Sequence, residues 1–222
     1  MFCKKAFKVI VNKLTIELIL IFIAGFPLAA EASSKRYIFI DGGAHYGECL
    51  SAFKKTGLYS QYPWEIFAIE ANPYLIDKIP KAPNITIVNK AVWIKDGTIK
   101  FNLKTNDRLS GIFWKTDDSV EITVKSIDFG KWLQQNFKKE DYIIISFDIE
   151  CAEYEVLNNM LVDGTVQYID RLYVEFHDYG PGYGLSKRET ELLTKLGKLG
   201  IIIGAYSVEE IIEEGYWLDS LE

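Results

Sequence analysis

The sequence predicts an α/β fold, a mostly parallel sheet with helices on both faces, and three observations carry that expectation. From Ser33 onward, short β-branched or aromatic runs alternate with amphipathic stretches of helical length, the pattern of strands joined by crossover helices. Several of these runs, such as YIIISFD at 142–148, are apolar on both faces, as strands buried inside a parallel sheet are. The chain has 222 residues, 49% apolar and 25% charged, enough for one hydrophobic core and unlike a disordered or collagen-like composition.

In chain order, the first 32 residues stand apart. Lys4, Lys5, Lys8 and Lys13 precede the apolar run LILIFIAGFPLAA (18–30), which meets the small-x-small site Ala30-Glu31-Ala32. A basic head, a short apolar middle and a small-residue site are the three parts of a secretory signal peptide. The run falls short of the ~20 apolar residues a spanning helix needs, so export with cleavage after Ala32 is expected, a membrane anchor being the alternative. The rest, 33–222, reads as one domain.

Strands are expected over 36–41, 65–70, 85–92, 142–148, 171–177 and 200–207, and helices over 47–57, 73–79, 128–137, 152–161 and 187–199. The last helix shows Leu192, Leu193, Leu196 and Leu199 at helical spacing, with Ser186 as N-cap and Gly200 as stop. Between Asp96 and Lys125 the rhythm changes: DGTIKFNLK opens on a turn signal and SVEITVKSI alternates after a polar gap, which predicts a β-rich excursion beyond the main sheet. Cys3, Cys49 and Cys151 lack metal-ligand spacing and form no disulfide framework. A net charge of −6 argues against a broad nucleic-acid surface and favours a small-molecule or glycan partner.

Ligands of open α/β sheets bind beyond the carboxyl ends of the strands, and here those ends are polar. The first strand runs into Asp41-Gly42-Gly43-Ala44-His45-Tyr46-Gly47, the second ends at Glu70, the fourth at FDIECAE (147–153) and the fifth at EFH (175–177). A glycine turn lets backbone approach a nucleoside-bearing ligand, and an acid ending the second strand accepts hydrogen bonds from ribose hydroxyls. Two cofactors use that logic. A nicotinamide dinucleotide wants a second glycine where Ala44 stands; S-adenosylmethionine needs no phosphate cradle and carries an ammonium that Asp41 would match.

The blocks IDGGAHYG, AIEANP, NKAV, VKSID, FDIECAEYEVL and YVEFH, in that order over roughly 36–203, resemble those of the FkbM-type S-adenosylmethionine-dependent methyltransferases. The usual forms are D-x-G-A-N-x-G, E-P-x-P, N-x-A, K-x-D-x-E-G-x-E and E-x-H. The resemblance implies a class I, Rossmann-like methyltransferase fold and O-methylation of a sugar or other small hydroxylated acceptor. It implies that Asp41, Gly43, Ala44, Gly47 and Glu70 hold the cofactor, that Asn89 and Ala91 line its adenine side, and that Asp148, Glu150, Glu153, Glu175 and His177 face the reaction. The chain departs from the pattern at His45 for Asn, Ala71 for Pro, Ser146 for Lys and Cys151 for Gly.

A hydroxyl acceptor must lose a proton as it is methylated, a task that suits histidine and carboxylates. Asp148, Glu150 and His177 are therefore the catalytic candidates, with His177 expected as a base of ordinary pKa, ~6.5. The acids Asp148, Glu150 and Glu175 also suit a divalent ion of the magnesium type. Metal-free chemistry is expected, because Asp148 and Glu150 point to opposite faces of a strand unless it has already ended. Two rival readings are an exported binding module without turnover, consistent with the leader, and a nicotinamide-dependent oxidoreductase.

The leader generates the first prediction. Intact-mass measurement of the natively expressed protein should give a chain that begins at Ser33; a retained 1–32 segment would indicate an anchor instead.

Overall fold

The computed structural model describes residues 35–104, 110–113, 115–177 and 187–204. The expected leader over 1–32 lies outside them, as do Ser186 and residues 205–207 of the last expected strand. Among the described residues no helix is long and apolar enough to cross a membrane.

The chain runs β1 (Tyr37–Gly42), α1 (Glu48–Phe53), α2 (Gly57–Gln61), β2 (Trp64–Ile69), β3 (Ile85–Val88), β4 (Ala91–Trp93), β5 (Gly97–Leu103), β6 (Val120–Asp128), α3 (Phe129–Asn136), β7 (Tyr142–Phe147), α4 (Glu153–Asp163), a 3₁₀ turn (Thr165–Tyr168), β8 (Arg171–Val174), α5 (Lys187–Gly197) and β9 (Ile202–Gly204). Six strands form one sheet in the order β3-β2-β1-β7-β8-β9, every described pairing parallel. The chain builds outward from β1 to β2 and β3, then returns to the other flank of β1 for β7. That reversal opens a crevice beyond the carboxyl ends of β1 and its neighbours.

Both faces of the sheet are covered, which is why β1 and β7 read as near-continuous apolar runs. Ile38, Ile40, Ile143 and Ile145 pack with Phe129 and Leu133 of α3, Val156, Leu157 and Met160 of α4, and Leu192 and Leu196 of α5. On the opposite face, Phe39 and Ile144 pack with Leu50, Phe53 and Leu58 of α1 and α2. A second, three-stranded sheet has the order β4-β6-β5. Its antiparallel β5–β6 hairpin, from Gly97↔Ser126 to Leu103↔Val120, is the expected excursion.

Three expected elements come out differently, each for a local reason. The run 85–92 is not one strand: after Val88 the Lys90 N–H turns back to the Val88 carbonyl at 3.0 Å, so β3 stays in the main sheet while β4 joins β6. Residues 73–79 form turns rather than a helix. They begin at Pro73 and are followed by Pro80, and Leu75 and Lys78 donate three residues back, to Asn72 and Leu75; a proline at position 80 disfavours helical backbone just before it. The stretch 47–57 divides into α1 and α2, with the Thr56 hydroxyl accepting the Tyr59 N–H at 3.1 Å to cap the second.

The tips of β1 and β7 meet at one glycine. Gly43 has φ +86, and a Cβ built there would lie 1.8 Å from the Asp148 carbonyl oxygen. The position needs both a left-handed backbone and the absence of a side chain. Gly43→Ala should therefore destabilise the protein by about 2–4 kcal/mol in urea titration, whereas an Ala at Gly97, which has open space around it, should carry only the smaller penalty of its backbone angle.

Candidate active site

A cavity of about 490 Å³ occupies the crevice, lined from the main sheet by Asp41, Gly43, Ala44, Glu70, Ser146, Asp148, Ile149, Glu150, Glu175 and His177. Ala91 and Val92 of β4, Phe101 of β5, and Ser110 and Ile112 close it from the second sheet. The Asn102–Gly111 bridge, with N–H to O distances of 2.9 and 3.1 Å, folds the 110–112 segment onto β5.

The turn after β1 is held by backbone. The N–H groups of Gly43 and Ala44 both donate to the Ile69 carbonyl, at 2.9 and 3.1 Å. Glu70, 6% exposed, locks the other side: Oε2 accepts the His45 N–H at 2.8 Å and Oε1 accepts the Asn72 N–H at 2.6 Å. Burial raises the Glu70 pKa, and those two N–H groups pull it back down. Each carboxylate oxygen retains capacity for a further hydrogen bond. Asp41 is more strained electrostatically. It is 2% exposed, and its Oδ2 has no hydrogen-bond partner. Burial, with the neighbouring Glu70 charge adding to it, lifts its pKa to about 7, against the pull of the Leu50 N–H. Below it, the Cys49 thiol donates to the Ser146 hydroxyl at 3.1 Å, and burial pushes that thiol pKa up.

Two expected cofactor residues do not line the cavity. Gly47 has φ +81 and packs against Pro80, whose Cδ would lie 2.6 Å from a Cβ, so it sets the entry of α1. Asn89 donates its side-chain amide to the carbonyls of Glu70 and Ala71, at 2.9 and 3.3 Å, and positions the strand end behind the acid. Ala91 does line the cavity.

At the far end, β7 stops at Phe147, and the left-handed Glu150 and Cys151, φ 53 and 76, reverse the chain into α4. The alternation argument against a shared face for Asp148 and Glu150 therefore does not apply. His177 Nε2 lies 3.8 Å from Asp148 Oδ1, 3.8 Å from Glu150 Oε2 and 3.7 Å from Glu175 Oε1, while Nδ1 lies 3.3 Å from Glu153 Oε1. Glu153 also accepts the Ile149 N–H at 3.0 Å.

The imidazole of ordinary pKa expected from the sequence is replaced by one at about 9. Burial alone would lower it, but the Glu153 hydrogen bond and the charges of Glu153, Glu150 and Asp148 together outweigh burial. His177 is thus an imidazolium near neutral pH, a hydrogen-bond donor rather than a base. Asp148 moves the other way from the usual carboxylate: burial raises it first, His177 draws it down, and Glu175, Glu150 and Glu153 raise it again.

The sequence reading missed the second-sheet wall. Phe101, Ser110 and Ile112 carry no motif, and only the β-rich excursion hinted that some such wall would exist. Lys90 and Leu75 also line the cavity without a local signal.

A parallel, doubly covered sheet with a glycine turn, a buried acid after the second strand and a cavity at the reversal defines a Rossmann-like enzyme fold. The family model described as "Methyltransferase FkbM domain" matches residues 41–197. The chain belongs to that family and is, at that level, a methyltransferase. No curated protein and no solved structure matches it.

Asp41 generates a stability prediction. Its folded pKa of about 7 lies above the ~3.9 of an unfolded chain, so the stability it permits is full below pH ~4 and is lost as pH rises through 7. Asp41→Asn, which keeps the acceptor for Leu50, should match the parent in thermal melts at pH 4. It should be more stable by about 2–4 kcal/mol at pH 8.

Proposed function

We propose that the protein is an S-adenosylmethionine-dependent methyltransferase that methylates a hydroxyl oxygen of a sugar or similarly hydroxylated small acceptor. One observation carries the reading: a single cavity joins the Asp41–Glu70 end of the sheet to the acid–imidazole cluster at Asp148, Glu150 and His177.

The residues present fit the cofactor. The orphaned, buried Asp41 Oδ2 suits a cationic ligand, which would favour the ionised carboxyl. Glu70 has acceptor capacity left for a ribose diol, and Ala91 and Val92 offer an apolar wall for a base. When bound, S-adenosylmethionine supplies a methyl group on a sulfonium. The chain orients the acceptor against it and takes the hydroxyl proton. Asp148, with its raised pKa, is a stronger base than an ordinary carboxylate, and the His177 imidazolium donates a hydrogen bond toward the oxygen as charge develops. Phe101 and Ile112 give the acceptor an apolar face opposite these polar groups, the mixed lining that small-molecule sites use. With the leader removed, this chemistry would take place outside the cytosol and draw on cofactor supplied there.

Calorimetric titration tests the reading. S-adenosylmethionine should bind the folded protein and a nicotinamide dinucleotide should not. Glu70→Gln, which keeps the residue's size but turns one of its two acceptors for the His45 and Asn72 N–H groups into a donor, should weaken cofactor binding by about 1.5–3 kcal/mol in a variant shown to be folded by circular dichroism. His177→Ala should leave cofactor affinity nearly intact while lowering turnover by ~10²–10³-fold, the loss of one donor to the reacting oxygen. No binding of S-adenosylmethionine to the folded parent would overturn the proposal.

A further inference from the structure

We propose that Asp148, Glu150 and His177 form a divalent-metal site suited to a first-row transition cation such as Mn²⁺. The inference rests on the methyltransferase reading for the cation's role but not for its binding. Each of the three residues offers one ligand atom, and those atoms lie within 4.8 Å of one another. His177 Nε2 is 3.8 Å from both Asp148 Oδ1 and Glu150 Oε2. That is too long for a hydrogen bond. It matches the ~3–4 Å between neighbouring donors around an ion with metal–ligand distances of ~2.0–2.3 Å.

The support behind the cluster is of the kind metal sites have. Histidine ligands usually give their other ring nitrogen to a carboxylate, which fixes the ring and the tautomer. Here Glu153, fully buried, lies 3.3 Å from Nδ1 and is itself held by the Ile149 N–H. The ring therefore presents Nε2 to Asp148 and Glu150. The buried Asp148 Oδ1 and Glu153 Oε2 atoms have no hydrogen-bond partner. Four carboxyl groups surround one imidazole, and among the described residues no lysine or arginine is ion-paired with Asp148 or Glu153. A divalent cation offsets that excess of negative charge, where a single imidazolium does not.

The donor set narrows the choice of ion. Two carboxylates and an imidazole suit Mn²⁺, Fe²⁺ or Zn²⁺ better than Mg²⁺, which favours oxygen alone. Three protein ligands on a cavity wall leave positions for an acceptor hydroxyl. A cation held there would displace the proton from His177 Nε2 and take over the roles given above to the imidazolium and to Asp148: it would polarise the bound hydroxyl, whose proton would pass to Glu175 on the same cluster.

The test is Mn²⁺ binding to the EDTA-dialysed full chain, followed by loss of the free-Mn²⁺ paramagnetic resonance signal and by thermal melts. The protein should take up one Mn²⁺ and melt at a higher temperature with it. Asp148→Asn and Glu150→Gln, each checked for folding by circular dichroism, should bind Mn²⁺ at least ~10-fold more weakly. S-adenosylmethionine titrations on the same samples separate the two readings. Cofactor binding without Mn²⁺ uptake at millimolar concentration, or equal uptake by folded variants, overturns the metal site and leaves the methyltransferase reading. Mn²⁺ uptake that is lost in the variants, with no cofactor binding, upholds the metal site and removes that reading.

Discussion

The close approach of two strand tips governs everything at the cavity. Gly43 and the Asp148 carbonyl are in contact, and the Asp148 N–H donates to the Gly42 carbonyl at 3.0 Å. The backbone after β1 is thereby pinned to the backbone after β7. This one contact sets the distance between the buried Asp41 carboxyl and the acids around His177. A side chain at position 43 would collide with the Asp148 carbonyl and push the two ends apart. The turn is further tied to β2 through the Ile69 carbonyl and Glu70, so three strands share one rigid junction.

Rigidity at that junction permits the electrostatic arrangement. An apo protein that could relax would hydrate Asp41 or spread the carboxylates around His177. Packing on both faces of the sheet leaves little room for that around Asp41, and its raised pKa follows from it. Such strained groups concentrate where a site must bind a charged ligand or move a proton. On the proposed reading, a cationic ligand beside Asp41 would offset the cost of its buried carboxyl.

How far the sequence reveals this depends on whether the cause is local. The strands β1 and β7 are legible because burial on both faces leaves a near-continuous apolar run, Asp41 and Glu70 are legible as the first polar residues after such runs, and Asp148 and His177 as polar residues at the ends of theirs. The kink after Val88 is not, since it accompanies an Asn89 side chain tied to a carbonyl 19 residues away. The 73–79 segment looks amphipathic, and only the two flanking prolines show that it is too short for a helix. The pKa of His177 is raised by Glu153, Glu150 and Asp148, acids of a separate stretch of the chain, and the motif at 175–177 does not contain that sum. Cys151 holds a left-handed backbone at the place where the resemblance calls for glycine, so the motif carried a conformational message even where its residue had changed.

The two sheets divide the cavity between them. The main sheet supplies the turn, the buried acids and His177, whereas the β4-β6-β5 sheet supplies Ala91, Val92 and Phe101, with the 110–112 segment attached to it. Residues of the second sheet do not take part in the Gly43 junction. On the proposed reading, substitutions at Phe101, Ser110 and Ile112 would therefore reshape the wall that meets the acceptor while leaving the junction that carries the transfer chemistry undisturbed.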